Sequence, residues 1–152
     1  MQTRNGFLFL ILFILLVFTT LIFSYPPQEN PQERKEWVAA KWADTLKNPL
    51  QGNVAATEAG KKLFQTNCAV CHGETGKGDG IAAQGLEPKP KDLSSRKVQE
   101  QTDGALFWKI TTGNLPMASY KEIFSEEQRW QLVNYIRILG EKSAEKPSEG
   151  KK

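Results

Sequence analysis

The hydrophobic rhythm of this chain changes several times between its ends. Residues Phe7 to Phe23 are apolar almost without interruption, and no charge occurs between Asn5 and Gln28. A helix over that run, at about 1.5 Å per residue, is roughly 26 Å long, close to the hydrocarbon thickness of a bilayer. The pattern predicts a transmembrane helix, with residues 1–25 as a retained anchor or uncleaved signal. A cleaved signal peptide is the competing reading, with Ser24 as a poor cleavage position; such peptides carry a shorter apolar run that ends in small residues. The flanking charges, Arg4 on one side and Arg34 and Lys35 on the other, do not decide its orientation.

Beyond the apolar run the pattern turns polar. "PPQENPQERKE" is rich in proline and charge, cannot bury a core and reads as an extended stalk. "WVAAKWADTLK" lacks a clean apolar stripe but has helix-forming composition, so residues 26–53 are expected to be a stalk with one short helix stopped before Pro49. Trp37 and Trp42 there either pack back on the folded domain or meet a partner or membrane interface.

Helical periodicity then appears three times. "TEAGKKLFQTNC" opens with Thr57 as expected N-cap and sets Gly60 and Phe64 on one face. "TDGALFWKITTG" begins at Thr102 or Asp103, carries Leu106, Phe107 and Ile110 inward and stops at Gly113. "SEEQRWQLVNYIRILG" opens with a Ser125-x-x-Gln128 capping box, repeats apolar positions at Leu132, Tyr135, Ile136 and Leu139, and is expected to close at Gly140. No stretch alternates as a strand does, so the class is all-α with long loops. Residues 141–152 read as a disordered, Lys/Glu-rich tail. What remains, residues 54–140, is one small domain of the size that often needs a prosthetic group to be stable.

Charge adds little to this picture. The net +3 comes from 20 Lys and Arg against 17 Asp and Glu. The interspersed signs argue against a nucleic-acid footprint and for a solvated mixed surface.

Chemistry is concentrated in one place. The chain has 2 Cys and 1 His, and all three stand in "CAVCH", residues 68 to 72. C-x-x-C-H is an attachment pattern for c-type haem. Two intervening residues put both sulfurs on one side of a helical turn, where Cys68 and Cys71 can form thioethers with the two vinyl groups of one porphyrin. His72 then lies under the iron and offers Nε2 as a ligand while Nδ1 needs an acceptor. Gly73, Gly76, Gly78 and Gly80 let the chain turn closely around a flat ligand. Other readings are open: a thioredoxin-like redox pair, which wants a βαβ context; a zinc site, which wants a fourth ligand; and a structural disulfide beside a coincidental histidine. "GETGKGDG" is not a phosphate loop, since Gly78 stands where Ser or Thr would follow Gly-Lys. Of the 2 Met, Met1 begins the apolar run, so Met117 is the methionine able to serve as a sixth ligand. A thioether favours ferrous iron, and with both axial positions filled the expected task is electron transfer. Met117 as a core gap-filler is the alternative.

"CxxCH", the downstream "PM" loop and the aromatic-rich last helix together resemble a class I, single-haem cytochrome c over about Val54 to Gly140. The resemblance implies three main helices and long loops around one covalently bound haem c, with Gly60 and Phe64 crossing the last helix near Leu132 and Tyr135. It implies that the loop "LEPKPKDL" passes the histidine side of the haem, a proline carbonyl accepting the Nδ1 proton, Pro90 first and Pro88 second. Phe107, Trp108 and Trp130 are expected to pack in the core and against the haem. Covalent attachment in this family happens outside the cytoplasmic membrane, which implies a single-pass membrane protein whose haem domain faces the periplasm or external side. The expected function is a membrane-tethered carrier, not itself an enzyme, moving single electrons between a quinol-oxidising complex and a terminal oxidase or reductase. A fixed cytochrome subunit of such a complex is the second expectation, and a haem enzyme or gas sensor with a labile Met117 the third.

Overall fold

The computed structural model describes residues 36–144. The expected membrane helix, the first part of the stalk and most of the expected tail therefore lie outside the described residues. Among the described residues no helix is long and apolar enough to cross a membrane.

All named elements are helical. They are α1 (Val54–Asn67), α2 (Ala69–His72), α3 (Arg96–Gln99), α4 (Asp103–Thr112) and α5 (Glu126–Ala144), with 3-10 turns at Lys41–Thr45 and Ile81–Gly85. The three long helices are those the periodicity predicts, and the short ones carry too few residues to show a period.

Helix α1 starts earlier than expected. Asn53, not Thr57, is its cap, the Asn53 side chain accepting from the Ala56 N–H at 3.0 Å. Thr57 lies in the first turn and donates its hydroxyl back to the Asn53 carbonyl. Ala56, Gly60 and Phe64, four residues apart, form the buried stripe. Where α1 crosses α5, a β-carbon at Gly60 would overlap the Gln131 carbonyl, so only glycine allows this approach. One turn on, the rings of Phe64 and Tyr135 meet with centroids 5.3 Å apart. Phe64, Leu132 and Val133 are the largest fully buried side chains of the core.

Helices α4 and α5 are capped as the sequence predicts. The Thr102 hydroxyl accepts from the Ala105 N–H, and Gly113 ends α4 with φ 66°. At α5, the Ser125 N–H donates to the Gln128 side chain and the Gln128 N–H to the Ser125 hydroxyl, the reciprocal box. The expected stop at Gly140 is corrected: α5 continues to Ala144. Gly140 serves packing instead, because a β-carbon there would overlap the side chain of Gln99, whose amide donates to the Leu93 and Ile136 carbonyls. Phe107 stacks on Trp130 with centroids 4.0 Å apart, and the Arg129 guanidinium lies over Phe107.

Residues 37–53, expected as stalk, are packed on the helices, and the expected short helix is a single 3-10 turn. The same compact unit runs from Trp37 onward. Ala43 is fully buried, its carbonyl filling the space a β-carbon would need at Gly104. The Asn48 amide donates to Asp103 and Asn134, both at 2.8 Å, and Asn134 returns a bond to the Leu50 carbonyl. Trp37 packs near Trp108 with Lys109 above its ring, whereas Trp42 is 59% exposed. Composition alone could not show this docking, because its anchors are single residues. Asn48→Ala removes one amide from a partly buried network and takes a partner from Asp103, Asn134 and the Leu50 N–H, an expected loss of about 1–3 kcal/mol. Urea unfolding of the variant beside the wild type measures it.

Candidate haem-attachment site

Cys68 closes α1 and opens α2. Its N–H donates to the Phe64 carbonyl, and its own carbonyl accepts from the Cys71 and His72 N–H groups at 3.1 and 2.8 Å. The two thiols thus share one helical turn, and both are free and half-buried. Burial, with Cys71 adding to it, pushes the Cys68 thiol up to about 12. It stays protonated at neutral pH, the reverse of the lowered thiol a C-x-x-C redox pair needs.

Gly73 ends the turn with φ 77°. The following loop folds back on it, the Gly78 N–H donating to the His72 carbonyl at 2.8 Å and the Gly80 N–H to the Cys71 carbonyl at 3.2 Å.

His72 is held from the other side. Its Nδ1 lies 3.3 Å from the Lys91 carbonyl oxygen, the contact of a tautomer that donates from Nδ1 and leaves the Nε2 lone pair for a metal. Burial lowers its pKa, partly offset by that carbonyl, so the ring is neutral at pH 7, the form a metal takes. The expected acceptor, Pro90, is corrected by one residue. The Pro90 carbonyl instead faces Gly78, where a β-carbon would overlap it. The loop had the right place, but the backbone turns its next carbonyl toward the ring.

Met117 lies on the loop that folds back on the end of α4. Its N–H and carbonyl pair with Asn114 at 3.0 and 2.9 Å, and the Tyr120 N–H donates to the Ile110 carbonyl. Three residues past Met117, the Tyr120 hydroxyl donates to the Asn67 carbonyl at 3.3 Å. That bond to the residue before Cys68 brings this loop's end toward the cysteines, and burial, with the Cys68 and Cys71 sulfurs adding to it, raises the Tyr120 pKa. Tyr120 was not singled out from the sequence, although its place in the "PM" loop is a signal for it.

Among the described residues no three His, Cys, Asp or Glu side chains gather around a point fit for a bare metal ion. Two adjacent free thiols, one imidazole with Nε2 available and a glycine loop closed over the turn fit a metal carried in a macrocycle bonded through sulfur, as in haem c. Cys68 and Cys71 would hold the macrocycle and His72 its iron. Val70, between the cysteines, and Leu115, before Met117, are exposed apolar groups at 49% and 85%.

Comparison with known proteins agrees with this chemistry. No curated protein matches the chain. Among solved structures, a chain of the reducing HAO-like protein complex of Kuenenia stuttgartiensis is 30% identical, with a TM-score of 0.56. The match covers 62% of this chain and 49% of that one, so this chain spans about half of that relative's length. The family described as cytochrome c matches residues 57–140, more than half of the sequence and the whole of the Cys68–His72 turn and the Met117 loop, and on that match the chain belongs to the cytochrome c family.

Proposed function

We propose that this protein is a membrane-tethered, class I cytochrome c with a single haem, passing single electrons between respiratory complexes on the periplasmic side. The observation that carries the reading is the turn at Cys68–His72: two free thiols on one face, and an imidazole whose Nδ1 is committed to the Lys91 carbonyl. Haem c, when bound, supplies a one-electron couple. Cys68 and Cys71 would fix the ring's position and His72 would offer nitrogen to the iron, with Met117 as its candidate sulfur ligand. The apolar run Phe7–Phe23 supports the tether and residues 26–35 a linker to it.

Encounter by tethering fits the surface. Two of the lysines around the motif are used internally, Lys89 donating to the Ala83 and Gln84 carbonyls and Lys77 pairing with Asp92. The remaining lysines there, Lys61, Lys62 and Lys91, are interspersed with Glu74, Asp79 and Glu87, a mixed pattern that gives weak long-range steering, so local concentration near membrane partners replaces it.

A second reading is a fixed subunit of a redox complex. It is supported by the likeness to a chain of an HAO-like complex and by the exposed Trp42 on the docked segment. Recovery as a lone monomer from mild detergent speaks against it.

The test is an absorption spectrum of the full-length protein with Met117→Ala beside it. Colour that survives acid–acetone and a mass increased by one macrocycle are expected, with loss of the methionine–iron charge-transfer band and new carbon monoxide binding in the variant. Colour stripped from the wild type ends the proposal. Rapid carbon monoxide binding by the reduced wild type favours the enzyme or gas-sensor reading instead.

A further inference from the structure

The bond between His72 and Lys91 is braced by groups that neither touch iron nor belong to the attachment motif. Asp92 follows the Lys91 carbonyl directly, and its carboxylate accepts from the Ser94 N–H at 2.8 Å and the Ser94 hydroxyl at 2.6 Å. That closes a turn which fixes the peptide plane carrying the Lys91 oxygen. Lys77, on the loop leaving His72, reaches across, donating to the Ser94 hydroxyl and lying 3.5 Å from Asp92 Oδ2. The backbone ties the same two loops, the Leu93 N–H donating to the Gly76 carbonyl at 2.7 Å. Ser94 is buried, at 8% exposure. Burial pushes the Asp92 carboxyl up, but the Ser94 hydroxyl, the Ser94 N–H and the Lys77 ammonium outweigh it and hold it below its usual value.

We propose that Lys77, Asp92 and Ser94 form a clasp that presses the Lys91 carbonyl against His72 Nδ1 and thereby sets the oxidation–reduction poise of the bound iron. The three are positioning residues. The proposal rests on the haem reading above and adds to it the device that tunes the histidine. A carbonyl held at Nδ1 draws on that proton, makes Nε2 a stronger donor and stabilises the oxidised metal. Slackening the clasp weakens the donor and raises the potential. The Lys77–Asp92 pair, at 42% and 38% exposure, is too well solvated to contribute much stability. What it restricts is the geometry of two loops.

Redox titration of the full-length holoprotein tests this. Ser94→Ala changes no charge, so a shift cannot come from altered Coulomb attraction to the iron. The expected rise favours the reduced form about threefold, which at about 59 mV per tenfold for one electron is roughly 28 mV. Lys77→Met gives a test by sign: loss of a cation lowers the potential by charge alone, whereas loss of the clasp raises it. Lys77→Arg should stay near wild type. Nuclear magnetic resonance adds a readout independent of potential, with faster solvent exchange of the His72 Nδ1 proton expected in Ser94→Ala. An unmoved potential and unmoved Nδ1 exchange in Ser94→Ala overturn the clasp, as does a fall on Lys77→Met. A wild type without covalent haem ends the functional reading before any titration, so the two failures are told apart.

Discussion

Gly60→Val is expected to yield little folded protein and almost no covalent haem. At this position α1 and α5 are in backbone contact, and a β-carbon would overlap the Gln131 carbonyl oxygen. That oxygen belongs to a helix and cannot swing aside as a side-chain tip could, so α1 must retreat from α5. Retreat breaks the Phe64–Tyr135 contact one turn on and displaces Cys68 at the end of the same helix. Overpacking commonly costs about 1–3 kcal/mol when side chains can adjust. Here a branched side chain meets fixed backbone, and a loss of about 4–5 kcal/mol is comparable with the whole stability of a small domain. Valine also forfeits nothing in helix propensity relative to glycine, so a loss must come from the crossing. Soluble yield, haem stain after denaturing electrophoresis and thermal midpoint measure it. A variant that loads haem and melts within a few degrees of wild type refutes the close-approach argument.

Arg137→Leu is the second large expected effect. The Arg137 guanidinium donates to Asp103 at 2.8 and 2.7 Å and to the Gln99 and Gln101 carbonyls at 2.8 and 2.6 Å. It thus joins α5 to the end of α3 and the start of α4. The ion pair is mostly buried, at 25% and 20% exposure. Leucine keeps much of the packing but leaves the Asp103 carboxylate facing only the neutral Asn48 amide, and it strips two carbonyls of their donor. Breaking one side of a buried pair costs about 3–5 kcal/mol, and partial exposure here brings the expectation to about 2–4 kcal/mol. The double variant Arg137→Leu with Asp103→Leu should recover part of that loss, since it removes the stranded charge. Chemical denaturation of the single and double variants checks both; equal losses would deny that stranded charge is the cause.

Where sequence and structure agree, the information was local. Thr102, Gly113 and the Ser125–Gln128 box decide helix ends through bonds to residues three or four positions away, so the one-dimensional pattern suffices. The shape of the Cys-x-x-Cys-His segment was readable for the same reason: Cys68, Cys71 and His72 lie within one turn. Disagreements arise where a distant partner overrides the local signal. Gly140 reads as a stop until Gln99 is seen packed against it, and α5 then has reason to continue. Asn53 gains its cap role because the chain bends after Leu50, whose carbonyl is held by Asn134 from α5. The acceptor for His72 depends on how the loop seats Pro90 on Gly78, a contact with no periodicity. In the same loop, Asp92 and Ser94 have the spacing of a side-chain turn, a cue that could have drawn attention to the clasp.

The docked residues before Val54 change what counts as the smallest useful piece of this protein. A fragment trimmed to begin at α1 would discard Ala43 and Asn48, uncover Gly104 and leave Asp103 and Asn134 without an amide partner. A shortened version for electrochemistry should therefore start at Glu36 or earlier, leaving out the apolar run Phe7–Phe23 while sparing the brace.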